Sequence, residues 1–386
     1  MPLSSPPLLP AQLTPRQGSR LVDYDDLLRF TADVFRRCGL TSARAAVAAE
    51  ALCYGDLTGM DSHGLTNLTR LYLPLFEQGR VDAAAEPMLT TDAGAAVRQD
   101  ARGALGLWSA AAAMDLAVER AGRFGIGLVS VHGATHLGCA GYHAARAAHR
   151  GMVGIVASNC GRQRIARPPG GLRTLLGTNP LSIAAPAGAH HPFVLDMSTT
   201  VAPTGRVRAA ARAGQPVPAG WLADDAGRTV TDAAAFDRGE AHLRWLGGAA
   251  ETGGFKGFGL GLAVEVLAAL VSGSGRGPEP AALDADGGPS GRDDDIGFFV
   301  AAVAPGVLRP EGEVAADAAS LFGTVLDCPP ADPAAPVRYP GWAEAERAAR
   351  HRADGVPLSA ALFGELTDVA ERFDVAAPVV RAEEAH

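Results

Sequence analysis

The sequence has a single lysine, Lys256, although lysine and arginine together account for 34 of its 386 residues. The net charge of −8 provides no basic excess that would indicate a nucleic-acid partner. No uncharged apolar run of about 18 residues occurs, so we expect no membrane span. The five cysteines are widely spaced, which argues against a disulfide framework and against a zinc cluster, and we expect no metal site.

The first 20 residues lack a basic start followed by an apolar core, so they do not resemble a secretory signal. They are rich in proline, serine and leucine, and this composition predicts a flexible N-terminal arm over 1–20. Unpaired cysteines are typical of a reducing compartment. The sequence therefore predicts a cytoplasmic protein.

Apolar residues recur at helical spacing in the first part of the chain, which predicts helices over 23–38, 43–57 and 65–78. Short apolar runs bounded by glycine or proline predict strands over 125–131, 152–158, 181–185, 193–196 and 296–303. The third and fourth runs are too close together for a regular βαβ crossover. The pattern therefore predicts an α/β fold with antiparallel or mixed strand pairing.

Three later segments have distinct compositions. The segment 258–272 is apolar almost all round, which predicts a buried helix. The segment 273–295 is rich in glycine, proline and aspartate and is expected to be a mobile loop. The tail over 340–374 is polar and helical in pattern.

Asp61, Ser62, His63 and Gly64 follow each other at the end of the second predicted helix. Taken alone, these residues are typical of a helix end, because Asp and Ser cap helices and Gly terminates them. A histidine beside a hydroxyl and a carboxylate can also be held in one tautomer and exchange a proton near neutral pH. His63 is therefore the best candidate for a catalytic acid.

The glycine-rich stretch 253–261 contains Lys256 and opens the apolar helix. Glycines before a helix allow a phosphate to approach free backbone N–H groups. The spacing fits neither the dinucleotide fingerprint nor a P-loop, so the pattern alone favours close helix packing over phosphate binding. The stretch 132–141 follows a predicted strand and contains His132 and His136; a ligand-binding loop fits it better than a metal site.

Two polar turns, 176–181 and 195–200, flank predicted strands. Each is only a turn when taken alone. Their Asn, Thr and Ser side chains, together with exposed amides, are suited to binding ribose or phosphate oxygens.

Together these segments resemble the malate/L-lactate dehydrogenase family, which has a non-Rossmann fold and includes ureidoglycolate, sulfolactate and diketogulonate enzymes and Δ1-piperideine-2-carboxylate (ketimine) reductases. The matching motifs are Asp61–Gly64, Thr135–Gly138 with Ala140–Tyr142, Gly177–Pro180, Phe193–Met197, Gly254–Gly259 and Ile296–Phe299. They occur in the family's order and cover about residues 25–375.

The resemblance implies an α/β fold with a largely antiparallel or mixed sheet in the cofactor domain and a helical substrate and dimerisation domain. The corresponding ranges are 21–100 for the helical part, 101–272 for the NAD(P)-binding domain, and 296–386 for the C-terminal part that completes the first domain. It also implies a homodimer with active sites near the interface. NADP or NAD is the expected cofactor, with NADPH the favoured form.

The resemblance also assigns roles to residues of this chain. His63 is expected to be the proton donor to a small-molecule substrate and Ser62 to orient it, while Lys256 is expected near the nicotinamide or the substrate. The residues expected to contact the cofactor are His136, Leu137, Gly138, Cys139, Ala140, Thr178, Asn179, Asp196, Met197, Ser198, Gly257 and Arg338.

The chain departs from the family pattern at two positions. Many members have Arg four residues after the motif histidine to bind the substrate carboxylate, where this chain has Asn67; Arg70 lies three residues further on, on the same helical face. After Gly205, many ketimine reductases have Asp and oxo-acid members often have Lys, where this chain has Arg206. We expect Asn67, Arg70 and Arg206 to contact the substrate.

These assignments predict hydride transfer between a nicotinamide and a 2-oxo or 2-hydroxy acid, with His63 as proton donor. Arg206 favours a carbonyl substrate. The alternatives are a cyclic imine reductase of specialised biosynthesis and a non-catalytic relative that uses the fold for binding. Several arginines are candidates to bind the 2′-phosphate of NADP: Arg162, Arg164, Arg167 and Arg173.

Overall fold

A computed structural model of the chain describes residues 19–278 and 295–381. Most of the predicted N-terminal arm (1–18) and most of the predicted mobile loop (279–294) lie outside the described residues. Within the described part of the chain, no helix combines the length and the apolarity that a membrane crossing requires.

The chain begins with strand β1 (Arg20–Val22) and two packed helices, α1 (Tyr24–Arg37) and α2 (Ser42–Thr58). The hydroxyl of Thr41 accepts a hydrogen bond from the backbone N–H of Arg44 at 3.4 Å and so caps α2. Alanines make up much of the buried face of α2, which lets neighbouring helices approach closely. Gly59 adopts φ of 77° and ends α2, which places the following turn at the helix end.

The core of the fold is a seven-stranded sheet in the order β2-β3-β4-β11-β5-β6-β7. Its strands are β2 (Met88–Asp92), β3 (Ala96–Asp100), β4 (Ile126–Ala134), β5 (Val153–Ser158), β6 (Leu181–Ala185), β7 (Phe193–Met197) and β11 (Ile296–Val303). Only β3 and β4 pair in parallel; the other neighbours are antiparallel. The expected α/β fold with a mixed, largely antiparallel sheet is confirmed.

Helices α4 (Gly106–Phe124) and α5 (Ala140–Ala148) cover one face of this sheet. The contact depends on glycine at two strand positions. A Cβ atom on Gly127 would overlap the Ala117 carbonyl of α4, and one on Gly154 would overlap the Ala144 carbonyl of α5. These glycines bring the helix backbones directly against the sheet.

Helix α7 (Gly254–Glu265) and the π-helical turn after it (Val266–Leu270) pack on the opposite face. The predicted burial of 258–272 is wrong, because the segment contacts the sheet with one side only. The outer side of α7 and of the turn after it exposes a row of apolar residues, among them Leu270 at 61% and Phe255 at 57%. Large exposed apolar rows of this kind mark interaction surfaces.

A smaller unit of three short strands, β8 (Leu222–Ala223), β9 (Thr229–Val230) and β10 (His242–Leu243), packs with α6 (Thr204–Arg212) around its own apolar cluster. Among the described residues, further helices are the π-helical turn Leu68–Tyr72 with α3 (Leu73–Glu77) directly after it, α8 (Pro305–Leu308), α9 (Glu311–Leu326), α10 (Trp342–Asp354) and α11 (Ala360–Phe373). Strand β12 (Val356–Leu358) pairs with β1. The seven-stranded sheet includes β2, β3 and β11, which lie outside the range 101–272 predicted for the NAD(P)-binding domain. The boundaries of the two domains stay a prediction.

Candidate functional site

His63 lies on a single 3₁₀ turn, Asp61–His63, directly after α2. Its backbone N–H donates to the Met60 carbonyl at 2.8 Å, which closes the turn. The Ser62 hydroxyl lies 2.9 Å from Nδ1 of His63. Since Nδ1 is engaged by Ser62, Nε2 is the atom of the ring that is available to exchange a proton with a ligand.

A second histidine, His136, stacks beside the first, with ring centroids 5.9 Å apart and an interplanar angle of 28°. The backbone N–H of Gly138 donates to Nδ1 of His136 at 3.1 Å, and the Tyr72 hydroxyl lies 2.9 Å from the same nitrogen. Because Nδ1 accepts a backbone hydrogen bond, the neutral ring carries its proton on Nε2. The structure therefore brings two predicted site residues together from segments far apart in the chain.

Both rings are held in their neutral form. Burial lowers the pKa of His63 to about 4, and the neighbouring His136 lowers it further in the same direction. Burial also lowers the pKa of His136 to about 4. Protonating both stacked imidazoles at once would place two like charges in a buried site, which is unfavourable. The pair is therefore suited to accepting or delivering one proton.

Asn67 and Arg70 have partners inside the protein. The Asn67 amide donates to the Ser62 carbonyl at 3.0 Å, so this side chain braces the histidine turn. The guanidinium of Arg70 lies 3.5 Å from a carboxylate oxygen of Glu365. Whether either residue also contacts a substrate stays a prediction.

The N-terminal end of α6 packs against Ser62. A Cβ atom on Gly205 would lie 3.0 Å from the Cβ of Ser62, which leaves little room for a larger residue there. The next residue, Arg206, is exposed, and its guanidinium lies 5.8 Å from the centroid of the Trp221 ring. Arg206 is thus on an element that touches the histidine turn.

The loop before α5 lies next to His136. Leu137, Gly138, Cys139 and Ala140 are buried, and their predicted contact with the cofactor stays a prediction. At the start of α5, the Asp196 carboxylate accepts a hydrogen bond from the Gly141 N–H at 2.7 Å. Burial raises the pKa of Asp196 to about 6, against the opposing effect of this hydrogen bond.

Asn179 is 0% exposed, and its amide donates to Glu265 at 2.8 Å and to the Gly261 carbonyl at 3.0 Å. Thr178, beside it, accepts a hydrogen bond from Thr199 through its backbone carbonyl at 2.9 Å. This turn ties α7 to the sheet. Glu265 was not predicted from the sequence, because a lone Glu in an apolar helix has no distinguishing pattern.

The other predicted residues lie on three separate segments. Lys256 is exposed near the start of α7, 5.9 Å from the Phe255 ring centroid, and Gly257 is buried beside it. Met197 and Ser198 are half-buried at the end of β7. Arg338 stacks on Trp342, with its guanidinium 4.8 Å from the ring centroid.

The chain is similar to several known proteins in sequence and in fold. The sequence model described as Malate/L-lactate dehydrogenase matches residues 22–367. A malate dehydrogenase of Pyrococcus abyssi is 35% identical over 253 residues, covering 65% of this chain and 68% of that protein. A Delta(1)-pyrroline-2-carboxylate/Delta(1)-piperideine-2-carboxylate reductase of Pseudomonas putida is 32% identical over 292 residues, covering 76% of this chain and 81% of that protein.

Among solved structures, malate dehydrogenase from Entamoeba histolytica has a TM-score of 0.85 and 25% identity, and the match covers 94% of this chain and 100% of that one. The family match and its relatives, which are dehydrogenases and reductases, define an oxidoreductase that acts on CH–OH or CH–NH groups. The chain belongs to the malate/L-lactate dehydrogenase family, which confirms the family predicted from the motifs.

Proposed function

We propose that the protein transfers a hydride between NADPH and a small 2-oxo acid, with His63 as the proton donor. The observation that carries this proposal is the half-buried His63 ring, held by Ser62 at Nδ1 and stacked on His136. In the reductive direction, His63 donates the proton on Nε2 to the carbonyl oxygen. It returns to the neutral form that burial favours.

The residues around His136 fit a ligand with several hydroxyl groups. Asp196 is half-buried and uses one carboxylate oxygen for Gly141, so the other is suited to a ribose hydroxyl. The α5 N-terminus already has the Asp196 carboxylate, so a pyrophosphate would have to bind elsewhere. When bound, the nicotinamide supplies the hydride. Arg338, half-buried near the β7 edge, is the group we assign to the adenosine 2′-phosphate.

The carbonyl substrate is favoured over a cyclic imine because an arginine follows Gly205 beside Ser62. A steady-state assay should compare pyruvate and oxaloacetate with piperideine- and pyrroline-2-carboxylates, each with NADPH and NADH. We expect the highest kcat/KM for an oxo acid with NADPH. A preference for the cyclic imines would establish the alternative. Failure of both cofactors to shift the melting temperature would indicate a non-catalytic relative.

Because the sequence has a single lysine, protection of Lys256 from chemical modification can test its predicted position in the site. Amine-reactive acylating reagents have only Lys256 and the amino terminus as targets. We expect saturating NADPH with an unreactive analogue of the oxo-acid substrate to slow acylation of the exposed Lys256 severalfold, while the amino terminus provides the internal control. Peptide mass spectrometry gives both rates. An unchanged Lys256 rate would remove this residue from the site.

We infer that the protein is a homodimer. The exposed apolar row on α7 and the segment after it supports this inference, since a monomer would leave the row in water. The residues that form the row are Phe255, Leu262, Val266, Leu270 and Val271. Sedimentation equilibrium should give twice the chain mass, and Leu270→Glu should shift the mass toward one chain. A monomeric wild-type protein would refute the inference.

A further inference from the structure

A buried carboxylate lies directly beneath the histidine turn. Asp56, near the end of α2, is only 5% exposed, and its Oδ2 accepts a hydrogen bond from the backbone N–H of Leu65 at 2.7 Å. Leu65 lies two residues after His63. The carboxylate therefore joins the end of α2 to the far side of the turn.

The space around this contact is set by glycine. A Cβ atom on Gly64 would overlap the Asp56 carboxyl group, and a Cβ atom on Gly55 would lie 2.6 Å from the Gly64 nitrogen. The backbone of the turn thus rests against α2 with no side chain between them. The Asp56 carboxyl group therefore contacts the backbone directly after His63.

The end of α2 is itself fixed from the other side by α10. Nδ1 of His351 donates to the Asp56 carbonyl at 3.1 Å, and Arg347 donates to the Thr58 carbonyl at 2.6 Å. Burial, with Asp61 acting in the same direction, raises the pKa of the Asp56 carboxyl to about 8. Near neutral pH the group is therefore largely protonated, and an amide would be a close mimic of its shape and charge.

We propose that Asp56 is a positioning residue for His63: its side chain, bound to the Leu65 N–H and enclosed by Gly55 and Gly64, sets the place of the proton donor relative to the substrate. The inference rests on the proposed role of His63. Misplacement of a catalytic group by about 1 Å can cost roughly 100-fold in rate, so the effect of losing this contact should be measurable in kcat.

Two substitutions at Asp56 test the proposal. In Asp56→Ala the Leu65 N–H loses its partner, and we expect kcat to fall about 10- to 100-fold, in line with a misplaced donor. Asp56→Asn keeps the acceptor oxygen and should retain kcat within about threefold, since its amide matches the protonated carboxyl. The Kd of NADPH, measured by fluorescence, should be unchanged in both variants. Full kcat in Asp56→Ala would overturn the proposal.

A double-mutant cycle separates positioning from general stability. If Asp56 acts through His63, the double variant Asp56→Ala/His63→Ala should be no slower than His63→Ala alone. A further loss in the double variant would show that Asp56 acts by another route. Full turnover in His63→Ala would instead refute the proposed proton donor. Failure of the role of His63 can thus be distinguished from failure of the positioning role of Asp56.

A second variant keeps the proposal testable if Asp56→Ala fails to fold. Gly64→Ala displaces the same carboxylate from the opposite side, and it should lower kcat with little change in the Kd of NADPH. The His63 imidazole resonance in the NMR spectrum should shift in this variant and stay in place in Asp56→Asn. Unchanged kcat and an unmoved resonance in Gly64→Ala would also contradict the proposal.

Discussion

Replacing His63 with alanine should reduce kcat by about 10²- to 10⁴-fold, the usual contribution of a positioned general acid. The loss is expected because the His63 imidazole beside Ser62 is the group that we assign to proton donation, in its protonated form. Binding of NADPH should persist within about twofold, since the proposed cofactor contacts lie on other segments. Ser62→Ala should have a milder effect, about tenfold, because it removes one hydrogen bond to Nδ1 and leaves the ring in place.

His149→Ala is the matched control for this substitution. His149 is an exposed histidine at the C-terminal end of α5, so its loss should leave kcat unchanged. Stopped-flow traces of NADPH oxidation would give the chemical step separately from product release. Wild-type turnover by His63→Ala would require another donor, and His136, with its proton on Nε2, would be the first candidate to test.

The pH dependence of kcat/KM should distinguish this histidine from an ordinary one. Since burial lowers the pKa of His63 to about 4, the free enzyme holds the neutral form over the range from pH 5 to 8. Oxidation of a hydroxy acid needs the neutral base, so its kcat/KM should be level over this range. Reduction needs the protonated form, and its kcat/KM should fall about tenfold for each pH unit.

The two directions together provide the check. An unperturbed histidine, with a pKa of about 6.5, would give a rise near that pH for oxidation and a level limb below it for reduction. Such an inflection near pH 6.5 would contradict the burial of His63 in the working enzyme. His136→Gln should move the apparent pKa upward, because His136 contributes to lowering the pKa of His63.

The sequence predicted elements best where local signals and packing agree. The predicted helices over 23–38 and 43–57 match Tyr24–Arg37 and Ser42–Thr58. For both helices the apolar spacing agrees with the local end signals, which are the cap Thr41 and the glycines that follow each helix. Strand β2 was not predicted, because all five of its residues are exposed and show no alternation. The prediction that 258–272 is buried was wrong, because a helix that exposes one apolar side has the same sequence pattern as a core helix.

The candidate site was predicted in part. His63 and Ser62 adjoin in sequence, so their contact could be predicted from the motif. The pairing of His63 with His136 depends on the fold, which brings the α2 end next to the loop before α5. Asp56 and Tyr72 lie at helical positions where a polar residue has no local signature, and only the folded chain shows what they contact.

Strand β11 has a consequence for how the protein is made. It occupies the middle of the large sheet, with Val300 paired to Val129 of β4 on one side and to Val156 of β5 on the other. During synthesis, β4 and β5 leave the ribosome well before their shared neighbour exists. Such long-range pairing slows folding and leaves strand edges open to aggregation. We therefore expect nascent chains that stop before residue 296 to depend on chaperones, and soluble yield to increase when translation is slowed by growth at low temperature.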